Sequence, residues 1–389
     1  MDVLPAPFHR APELNEFRDS VRRFVDTVLI PLEFDVLHDH GLNEQNRELL
    51  RERSRQAGWW MMDIPEALGG QGLSLEAMSV FWEEVSRSCV LTARDHDVFG
   101  PRVGPILSSL TGELKAHYLD PVLAGEKKTC FAQTEPDAGS DPSSMRTRAI
   151  RDGQEYVLTG TKRFIGHATE ADFAQVFAVT DVDDKGKQKI SCFLVDLNLS
   201  GVTVRGTDTM IMGDCLGEIH LDGVRIPASQ RVGEEGQGFR FAQHAINQGR
   251  IRHAAQACGA MERCLGLTAD YVRQRRSFGQ PLAERQGVQW MLAEGYQTLQ
   301  AARLMTMDAA AKVDAGVSVQ YETFMAKLFA VEHGFTVIDQ CLQLHGATGL
   351  STQSPLHRFW VELRSFRITE GATEVLKTTL ARRLLAAYA

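Results

Sequence analysis

The sequence predicts an α+β protein of several domains, in which a β domain lies between two helical ones. Its 389 residues exceed what one hydrophobic core ordinarily serves, which is about 250–300 residues. The pattern of apolar residues also changes twice along the chain, from helical spacing to short strand-like segments and back. We therefore predict an N-terminal helical domain over residues 1–128, a middle β domain over 129–237 and a C-terminal helical domain over 238–389.

The N-terminal domain is predicted from apolar residues that recur every three or four positions, which places them on one face of a helix. One such stripe consists of Phe17, Val21, Phe24 and Val25. Residues 76–86 and 113–119 have similar spacing, and the glycine-rich run 69–72 is typical of a loop between helices.

The middle domain is predicted from short segments that are rich in Val, Ile, Phe and Thr and bounded by turn residues. These segments span residues 154–159, 173–179, 190–195 and 218–221. The run 183–186 between two of them, Asp-Asp-Lys-Gly, is typical of a hairpin loop. Together they predict a β domain of about 100 residues, barrel-like or sandwich in type.

The C-terminal domain is predicted from longer helical patterns. An apolar seam at helical spacing consists of Ile251, Ala254, Ala255, Cys258, Met261 and Leu265. Residues 291–311 are almost entirely helix-forming types. Long amphipathic helices of this kind pack as a bundle.

Composition excludes several classes of function. The chain carries 42 Lys and Arg against 50 Asp and Glu, a net charge of −8, which argues against a nucleic-acid binder. Its apolar runs fall short of the roughly 18–20 residues that span a bilayer. The 7 cysteines are scattered and never spaced as CxxC, and the N-terminal residues lack a leader pattern, so we expect free thiols and a cytoplasmic protein. No metal-ligand spacing is apparent.

The segment 131–141, which opens the β domain, is a candidate phosphate site. Pro136 and Gly139 enforce an irregular backbone, and the amides and hydroxyls near Gly139 and Ser140 would suit a phosphate. The same composition is also typical of an ordinary surface turn. The later glycine run 233–238 does not follow a strand within a βαβ unit, so we interpret it as a domain linker and not as a dinucleotide loop.

The segment 275–279 is a second candidate. Arg275 and Arg276 beside Ser277 and Phe278 would suit a diphosphate and a ring system. The alternative is a helix end, with basic residues favoured by the helix dipole and Gly279 as the cap.

Glu370 is a candidate general base. It precedes Gly371 at a break between two helical patterns, and glycine lets the backbone approach a substrate closely. The alternative is structural, with Thr369 or Thr373 capping the final helix. The residues alone leave both interpretations open.

Taken together, these segments resemble the acyl-CoA dehydrogenase superfamily of flavoproteins over nearly the whole chain. The resemblance is carried by Thr134-Glu135-Pro136 with residues 138–141, by Arg275 with 277–279, by Gln343 with Gly346 and Gly349, and by Glu370-Gly371. All occur in the family's order and at compatible separations.

The resemblance implies a C-terminal four-helix bundle, FAD between this bundle and the β domain, and a homotetramer or homodimer in which a neighbouring subunit completes the cofactor site. The matching FAD positions in the β domain are Phe131, Gln133, Thr134, Gly139, Ser140, Phe164 and Gly166. Those of the C-terminal domain are Arg275, Ser277, Phe278, Gln286, Gln343, Gly346, Ala347, Ala372 and Glu374.

The resemblance also implies the chemistry. Glu370 matches the base that removes the α-proton of an acyl-CoA thioester while a hydride leaves the β-carbon for the flavin, which gives a trans-2-enoyl-CoA. The Glu370 amide and a flavin ribityl hydroxyl would bind the thioester carbonyl. The matching substrate positions are Ser140, Asn247, Arg250 and Gly371. An electron-transfer flavoprotein would then accept the electrons.

Four residues depart from the family pattern. Gly166 replaces a frequent threonine that contacts the flavin, and His167 replaces a common asparagine. Ala347 breaks a usual Gly-Gly pair, and Ala372 replaces a frequent threonine. These departures suggest a divergent branch of the family, serving a specialised pathway.

The acyl group is suggested by a polar stretch. Residues 94–97 and Arg102 fall in a region that helps line the acyl pocket in relatives, and unpaired charge there would suit a plain alkyl chain poorly. One hypothesis is therefore a short or functionalised acyl group whose polar head pairs with Arg94. The alternative is that these side chains face solvent or pair among themselves.

Three other functions fit the same resemblance. An acyl-CoA oxidase would use the same base but let oxygen reach the reduced flavin. An enoyl-CoA reductase would run the reaction backwards. A non-catalytic relative would keep only the fold.

Overall fold

The computed structural model describes residues 11–38, 41–92, 95–213 and 215–388. The chain divides into two compact units. The helical unit comprises residues 1–57, 72–98 and 247–389, and the sheet unit comprises residues 58–71 and 99–246. Along the chain, helices come first, then strands, then helices again, which confirms the predicted fold class. No helix among the described residues is long and apolar enough to cross a membrane.

The described residues of the first part of the chain include seven α-helices. They are α1 (Pro12–Phe24), α2 (Glu33–His38), α3 (Glu44–Gln56), α4 (Leu75–Val85), α5 (Gly104–Ser108), α6 (Gly112–Leu114) and α7 (Asp120–Leu123). The predicted stripe is confirmed on α1 and just beyond it, where Val21, Phe24 and Val25 are buried. Side-chain caps fix two helix starts, because Asn43 accepts the Asn46 N–H and Ser74 accepts the Ala77 N–H.

The middle of the chain forms one sheet. Its strands are β1 (Thr129–Ala132), β2 (Arg148–Asp152), β3 (Glu155–Ile165), β4 (Phe173–Val182), β5 (Gln188–Asp196), β6 (Val202–Thr209), β7 (Cys215–Pro227) and β8 (Arg231–Val232). The spatial order is β6-β7-β3-β2-β4-β5-β8, and β1 pairs in parallel with β4. The sheet is thus open and not a closed barrel. The predicted hairpin is confirmed, since β4 and β5 are antiparallel and Asp183 accepts the N–H groups of Lys185 and Lys187 in their turn.

Strand β4 contributes to two hydrophobic cores of the sheet unit. Phe173 and Phe177 belong to a core shared with the helical segment 103–123. Ala174 and Val176 point to the other face, into a core with β3 and β7. Because successive side chains of a strand face opposite sides, burial on both faces explains why β4 is apolar without alternation.

The last part of the chain, as far as residue 388, includes five α-helices and a short hairpin. The helices are α8 (Gly238–Gln274), α9 (Gln286–Asp314), α10 (Gln320–His345), α11 (Leu356–Phe366) and α12 (Thr373–Ala387). The hairpin consists of β9 (Arg276–Ser277) and β10 (Gln280–Pro281). Residues 233–237 connect β8 to α8. The predicted seam is confirmed on α8, where Cys258 and Met261 are buried in a core with Leu299 of α9, Ile338 of α10 and Leu363 of α11.

A buried ionic network joins four helices of the helical unit. Arg22 of α1 lies 2.6 Å from a Glu84 carboxylate oxygen of α4 and 2.7 Å from one of Glu262 on α8. Arg303 of α9 pairs with Glu262 and with Glu83. Buried charges are tolerated only when they are paired in good geometry, so the network fixes how these helices pack. Burial nevertheless raises the pKa of Glu83 to about 7.

Candidate active site

Glu370 lies in a left-handed turn between α11 and α12. Its φ is 54°, and that of Gly371 is 98°. A Cβ at position 371 would lie 3.1 Å from Arg250 Nη2, so both the backbone angle and the space favour glycine. A non-glycine residue held at positive φ is strained, and such strain is concentrated at functional sites.

The capping interpretation of this segment is wrong. The N-cap of α12 is Ala372, and no side chain caps that helix. The Thr373 hydroxyl donates to Glu332 Oε1 at 2.6 Å, and the Thr369 hydroxyl lies 3.0 Å from His253 Nε2. The two threonines therefore anchor the turn to α10 and α8.

Cationic side chains bind three successive carbonyl groups of this turn. Lys327 Nζ of α10 donates to the carbonyl oxygens of Thr369 and of Gly371, the latter at 2.6 Å. Arg250 Nε of α8 donates to the Glu370 carbonyl oxygen at 2.8 Å. Lys327 is 2% exposed and Arg250 5% exposed, so both cations lie inside the helical unit. The carbonyls are thus fully engaged by the protein.

The Glu370 carboxylate lies against α8 at Gly249. A Cβ at Gly249 would approach Glu370 Cδ to 2.7 Å, so glycine at this position lets the Glu370 side chain occupy its present place. Glu370 is half-buried, and the loss of hydration around its carboxylate raises the pKa of the group. The positive charges of Arg252, Lys327 and Arg250 act to lower this pKa, but the rise remains. A carboxylate with raised proton affinity is suited to proton transfer.

Asn247 and Arg250 were predicted to contact the substrate. The two side chains contact each other on α8, and Arg250 also reaches the Glu370 turn. Arg250 Nη1 donates to Asn247 Oδ1 at 2.6 Å, and its guanidinium lies 4.5 Å from the Phe324 ring centroid. Burial lowers the pKa of Arg250 to about 10. In the structure, the Arg250 guanidinium is hydrogen-bonded to the Glu370 carbonyl oxygen.

In the sheet unit, a buried ion pair anchors the predicted flavin strip. Lys162 Nζ lies 2.8 Å from Glu135 Oε1 and donates to the Gln133 carbonyl at 3.1 Å. Glu135 also accepts the N–H groups of Arg146 and Thr147. Burial acts to raise the pKa of Glu135, but Lys162 and these hydrogen bonds hold it below its usual value. Residues 133–135 are therefore fixed against β3.

The other predicted positions of the sheet unit lie close in sequence to this anchor. Phe164 has a φ of 57° and is 46% exposed, with the Arg163 guanidinium 5.1 Å from its ring centroid. Gly166 follows immediately after β3. Gly139 and Ser140 are exposed in the irregular segment after β1. The Phe131 ring packs against Phe177 at 4.8 Å between centroids.

Arg275, Ser277 and Phe278 lie in or beside the hairpin after α8. Helix α8 ends at Gln274, and Gly279 has a φ of 84° in the hairpin turn, so the expectation that Gly279 caps the helix is wrong. Phe278 is 96% exposed, and Arg275 is exposed as well. An aromatic ring exposed to this extent has no role in the core of its own chain.

The remaining predicted FAD residues flank the ends of helices. Gln286 is the first residue of α9, and Gln343 lies in the last turn of α10. Gly346 and Ala347 follow α10 and are exposed, and Gly346 has a φ of 58°. Glu374 is in the first turn of α12.

Arg94 lies outside the described residues, but two of its acidic neighbours are described. Asp95 pairs with Arg47 at 2.7 Å. Asp97 pairs with Arg47 at 2.8 Å and with Arg51 at 2.6 Å. These carboxylates are therefore neutralised by arginines of α3, which lie outside the stretch, whereas the alternative interpretation named solvent or pairing within it. The described residues contain no cluster of His, Cys, Asp and Glu that could hold a metal ion.

Sequence reasoning missed three residues of this site. Lys327, Lys162 and Gly249 act on segments far away in the chain, and no local motif marks them. The only sequence signal was a lysine in an otherwise apolar helical or strand pattern, which is rarely buried without a partner.

Comparison with protein families gives three matches along the chain. The model for "Acyl-CoA dehydrogenase, N-terminal domain" matches residues 11–126. The corresponding middle-domain model matches residues 130–224, and the C-terminal-domain model matches residues 236–385. The matches together span nearly the whole chain.

Individual proteins show the same similarity. The chain is 35% identical over 377 residues to the mitochondrial short-chain specific acyl-CoA dehydrogenase of Sus scrofa, covering 95% of this chain and 90% of the relative. It is 32% identical over 374 residues to the caffeyl-CoA reductase-Etf complex subunit CarC of Acetobacterium woodii, covering 95% and 97%. It also resembles the structure of a glutaryl-CoA dehydrogenase from Mycobacterium smegmatis in complex with FADH2, with a TM-score of 0.79, 27% identity and coverage of 96% and 95%.

Proposed function

Because this chain belongs to the acyl-CoA dehydrogenase family of FAD-dependent oxidoreductases acting on acyl-CoA, we propose that it converts an acyl-CoA thioester to the trans-2-enoyl-CoA. Glu370 is the proposed base. The observation that carries the proposal is the turn at Glu370, where a carboxylate of raised pKa and a backbone amide come from one residue. One residue can then bind the thioester and remove its proton.

The amide groups of this turn are suited to an oxyanion. Within the part of the chain that the structure describes, the N–H groups of Glu370 and Gly371 have no protein acceptor. In the proposed reaction, the Glu370 N–H donates to the thioester carbonyl oxygen and stabilises the negative charge that develops there. This charge acidifies the α C–H, and the Glu370 carboxylate removes that proton.

The residues of each unit fit FAD by their chemistry. In the sheet unit, the hydroxyls of Thr134 and Ser140, the strip anchored by Glu135 and the exposed Phe164 ring suit a pyrophosphate and a flavin ring. In the helical unit, the exposed Arg275 guanidinium suits a diphosphate. Bound FAD supplies the hydride acceptor, and the protein aligns the substrate. We propose the full set of FAD residues named above for this role.

The experiment is an anaerobic visible spectrum of the holoenzyme, titrated with straight, branched, dicarboxylic and aromatic acyl-CoA thioesters. Bleaching of the flavin by one class would establish the dehydrogenation and identify the substrate type. We expect Glu370→Gln to keep FAD and slow the bleaching at least about a hundredfold. Glu294→Gln, which alters an exposed carboxylate on α9, is the matched control. A yellow holoenzyme that no thioester bleaches would refute the proposal.

A second candidate is the reverse reaction, reduction of an enoyl-CoA. It is favoured by the similarity to a caffeyl-CoA reductase subunit and by the raised pKa of Glu370, which also suits a proton donor. Rapid reoxidation of the reduced holoenzyme by an enoyl-CoA, without bleaching by the saturated thioester, would identify this direction. Oxygen consumption during turnover would indicate an oxidase instead.

We further propose an electron-transfer flavoprotein as redox partner and a homo-oligomer, dimer or tetramer, as the working form. The first rests on the similarity to a subunit of an Etf complex. The second rests on the exposure of Phe278 and Arg275, the positions that a neighbouring subunit's cofactor would contact. All seven cysteines are free, which supports a reducing compartment such as the cytoplasm.

For the acyl group, we propose a short or polar chain recognised through Arg94. Asp95 and Asp97 are paired to α3, so we assign the recognition of a polar acyl head to a cation of this stretch and not to its carboxylates. Arg94→Ala should change the ranking of thioesters in the bleaching assay, with the largest loss for the dicarboxylic members. An unchanged ranking would refute this assignment.

A further inference from the structure

We propose that Lys327 is a positioning residue that holds and polarises the Glu370 amide for the thioester carbonyl. The inference rests on the proposed function and assigns a role to a residue outside the family motifs noted above. Lys327 is on α10, and its ammonium group bridges the carbonyls of Thr369 and Gly371, on either side of Glu370.

The bridge is specific to the left-handed turn. Two carbonyls two residues apart converge on one ammonium group because Glu370 and Gly371 both have positive φ. A relaxed turn would point them in different directions. Lys327 therefore holds the proposed base in a strained backbone conformation that a glutamate ordinarily avoids.

The same contact acts on the proposed oxyanion donor through one peptide group. The Thr369 carbonyl and the Glu370 N–H belong to the same peptide unit. A positive charge at the carbonyl oxygen draws electron density away from the nitrogen and makes the N–H a stronger donor, as in a cooperative chain of hydrogen bonds. Arg250 has the corresponding position on the next peptide, whose N–H is that of Gly371.

Within the described part of the chain, the hydrogen bonds of the Lys327 ammonium group go to these two carbonyls. Glu370, Glu332 and Arg250 act on it through the electrostatic field, but the structure shows no ion pair for Lys327 among the described residues. A buried ammonium group without a contacting carboxylate is costly, and its hydrogen bonds go to the base-bearing turn. Its position is thus explained by what it does to that turn.

The experiment compares the holoenzyme with Lys327→Met, Lys327→Gln and Lys327→Arg. Methionine removes donor and charge, glutamine keeps N–H donors without charge, and arginine keeps both. Lys312→Met, which alters a partly exposed lysine of α9 that pairs with Asp308, is the control. For each protein, FAD content and thermal stability are measured, then the rate of flavin bleaching. The carbonyl stretching frequency of bound crotonyl-CoA, labelled with ¹³C at the thioester carbon, is recorded by isotope-edited infrared spectroscopy.

We expect Lys327→Met and Lys327→Gln to slow bleaching about tenfold and to shift the carbonyl frequency towards that of free crotonyl-CoA. Lys327→Arg should restore much of both. Glu370→Gln should keep the wild-type frequency, because its amide is intact, while losing the bleaching. The carbonyl frequency thus reports on the Glu370 amide, and the bleaching rate of Glu370→Gln reports on the carboxylate.

Two outcomes would overturn the inference alone. One is wild-type bleaching in Lys327→Met and Lys327→Gln. The other is slower bleaching in all three variants with an unchanged carbonyl frequency, which would make Lys327 merely structural. A wild-type holoenzyme that no thioester bleaches would overturn the proposed function and this inference with it.

Discussion

The contact between Gly249 and Glu370 allows the proposed base to be tested by a substitution at Gly249, which moves the Glu370 carboxyl group without replacing it. A Cβ at position 249 would lie 2.7 Å from Glu370 Cδ and 2.8 Å from its Oε1. Non-bonded carbon atoms prefer about 3.5–4.0 Å, so Gly249→Ala must push the carboxyl group away by about 1 Å. A misplacement of about 1 Å at a reacting group can cost about a hundredfold in rate. We therefore expect flavin bleaching to slow by about ten- to a hundredfold.

The same substitution should leave the fold intact. The atoms in the way belong to the far end of a flexible side chain, which can turn aside. Alanine is also favoured over glycine inside a helix by roughly 1 kcal/mol, and position 249 lies within the 37-residue α8. We expect the melting temperature to stay the same or to rise slightly, with normal FAD content.

Gly266→Ala is the matched control on the same helix, because a Cβ there meets no atom within 4 Å. It should share any gain in stability and keep the wild-type rate in stopped-flow measurements under anaerobic conditions. Wild-type bleaching in Gly249→Ala would refute the reasoning, since a carboxylate displaced by that distance would then not be the group that removes the proton. A variant that loses FAD or melts early would contradict the argument that only the carboxylate moves.

Three further predictions concern charged groups. Burial lowers the pKa of Lys327 to about 7, so its charge is lost progressively as the pH rises through that value, whereas an arginine at this position stays charged. The ratio of the Lys327→Arg rate to the wild-type rate should therefore rise from about pH 7 to about pH 9 in stopped-flow bleaching. Glu262→Gln should lower the free energy of unfolding in urea by about 3–5 kcal/mol, because Arg303 keeps a buried charge with one partner fewer. Glu135→Gln should weaken FAD binding at least about tenfold in a flavin-fluorescence titration, because Lys162 loses its buried carboxylate partner and the strip 133–135 loses that ion pair as an anchor.

The sequence was most informative where a residue's own chemistry and its local turn define its role. Glu370 beside Gly371 was identified from a break between helices, and the positive φ values of both residues agree with that interpretation. The helix ends were harder. Gly279 was open to interpretation as a helix cap or as part of a ligand loop, and the pairing of Ser277 with Gln280 that decides for a hairpin involves only two residues a side.

Strands β2 and β6 show a second limit. Residues 148–152 and 202–209 are rich in Arg, Asp, Thr and Gly, and their exposed faces give them no continuous apolar run. They are strands because β3 and β7 offer them backbone partners. Strand formation of this kind depends on tertiary context more than on the residues themselves.

Lys327 and Gly249 show why the site could not be completed from the sequence. Lys327 reaches carbonyls 42 and 44 residues further along the chain, and Gly249 makes room for a carboxylate more than a hundred residues away. Every residue has a backbone carbonyl, so the sequence does not show which carbonyl groups will bind a cationic side chain. A missing Cβ likewise carries no signal except through what occupies its space.

Lys327 and Arg250 together explain how the turn is prepared before a ligand binds. The Thr369 and Gly371 carbonyls are held by Lys327 from α10, and the Glu370 carbonyl is held by Arg250 from α8. With the carbonyls so engaged, the peptide planes are fixed, and the Glu370 and Gly371 N–H groups are fixed with them. A donor that needs no reorganisation when charge develops contributes most to stabilising that charge. On the proposed mechanism, the strain at Glu370 is the cost of presenting the proposed base and the proposed oxyanion donor from a single residue.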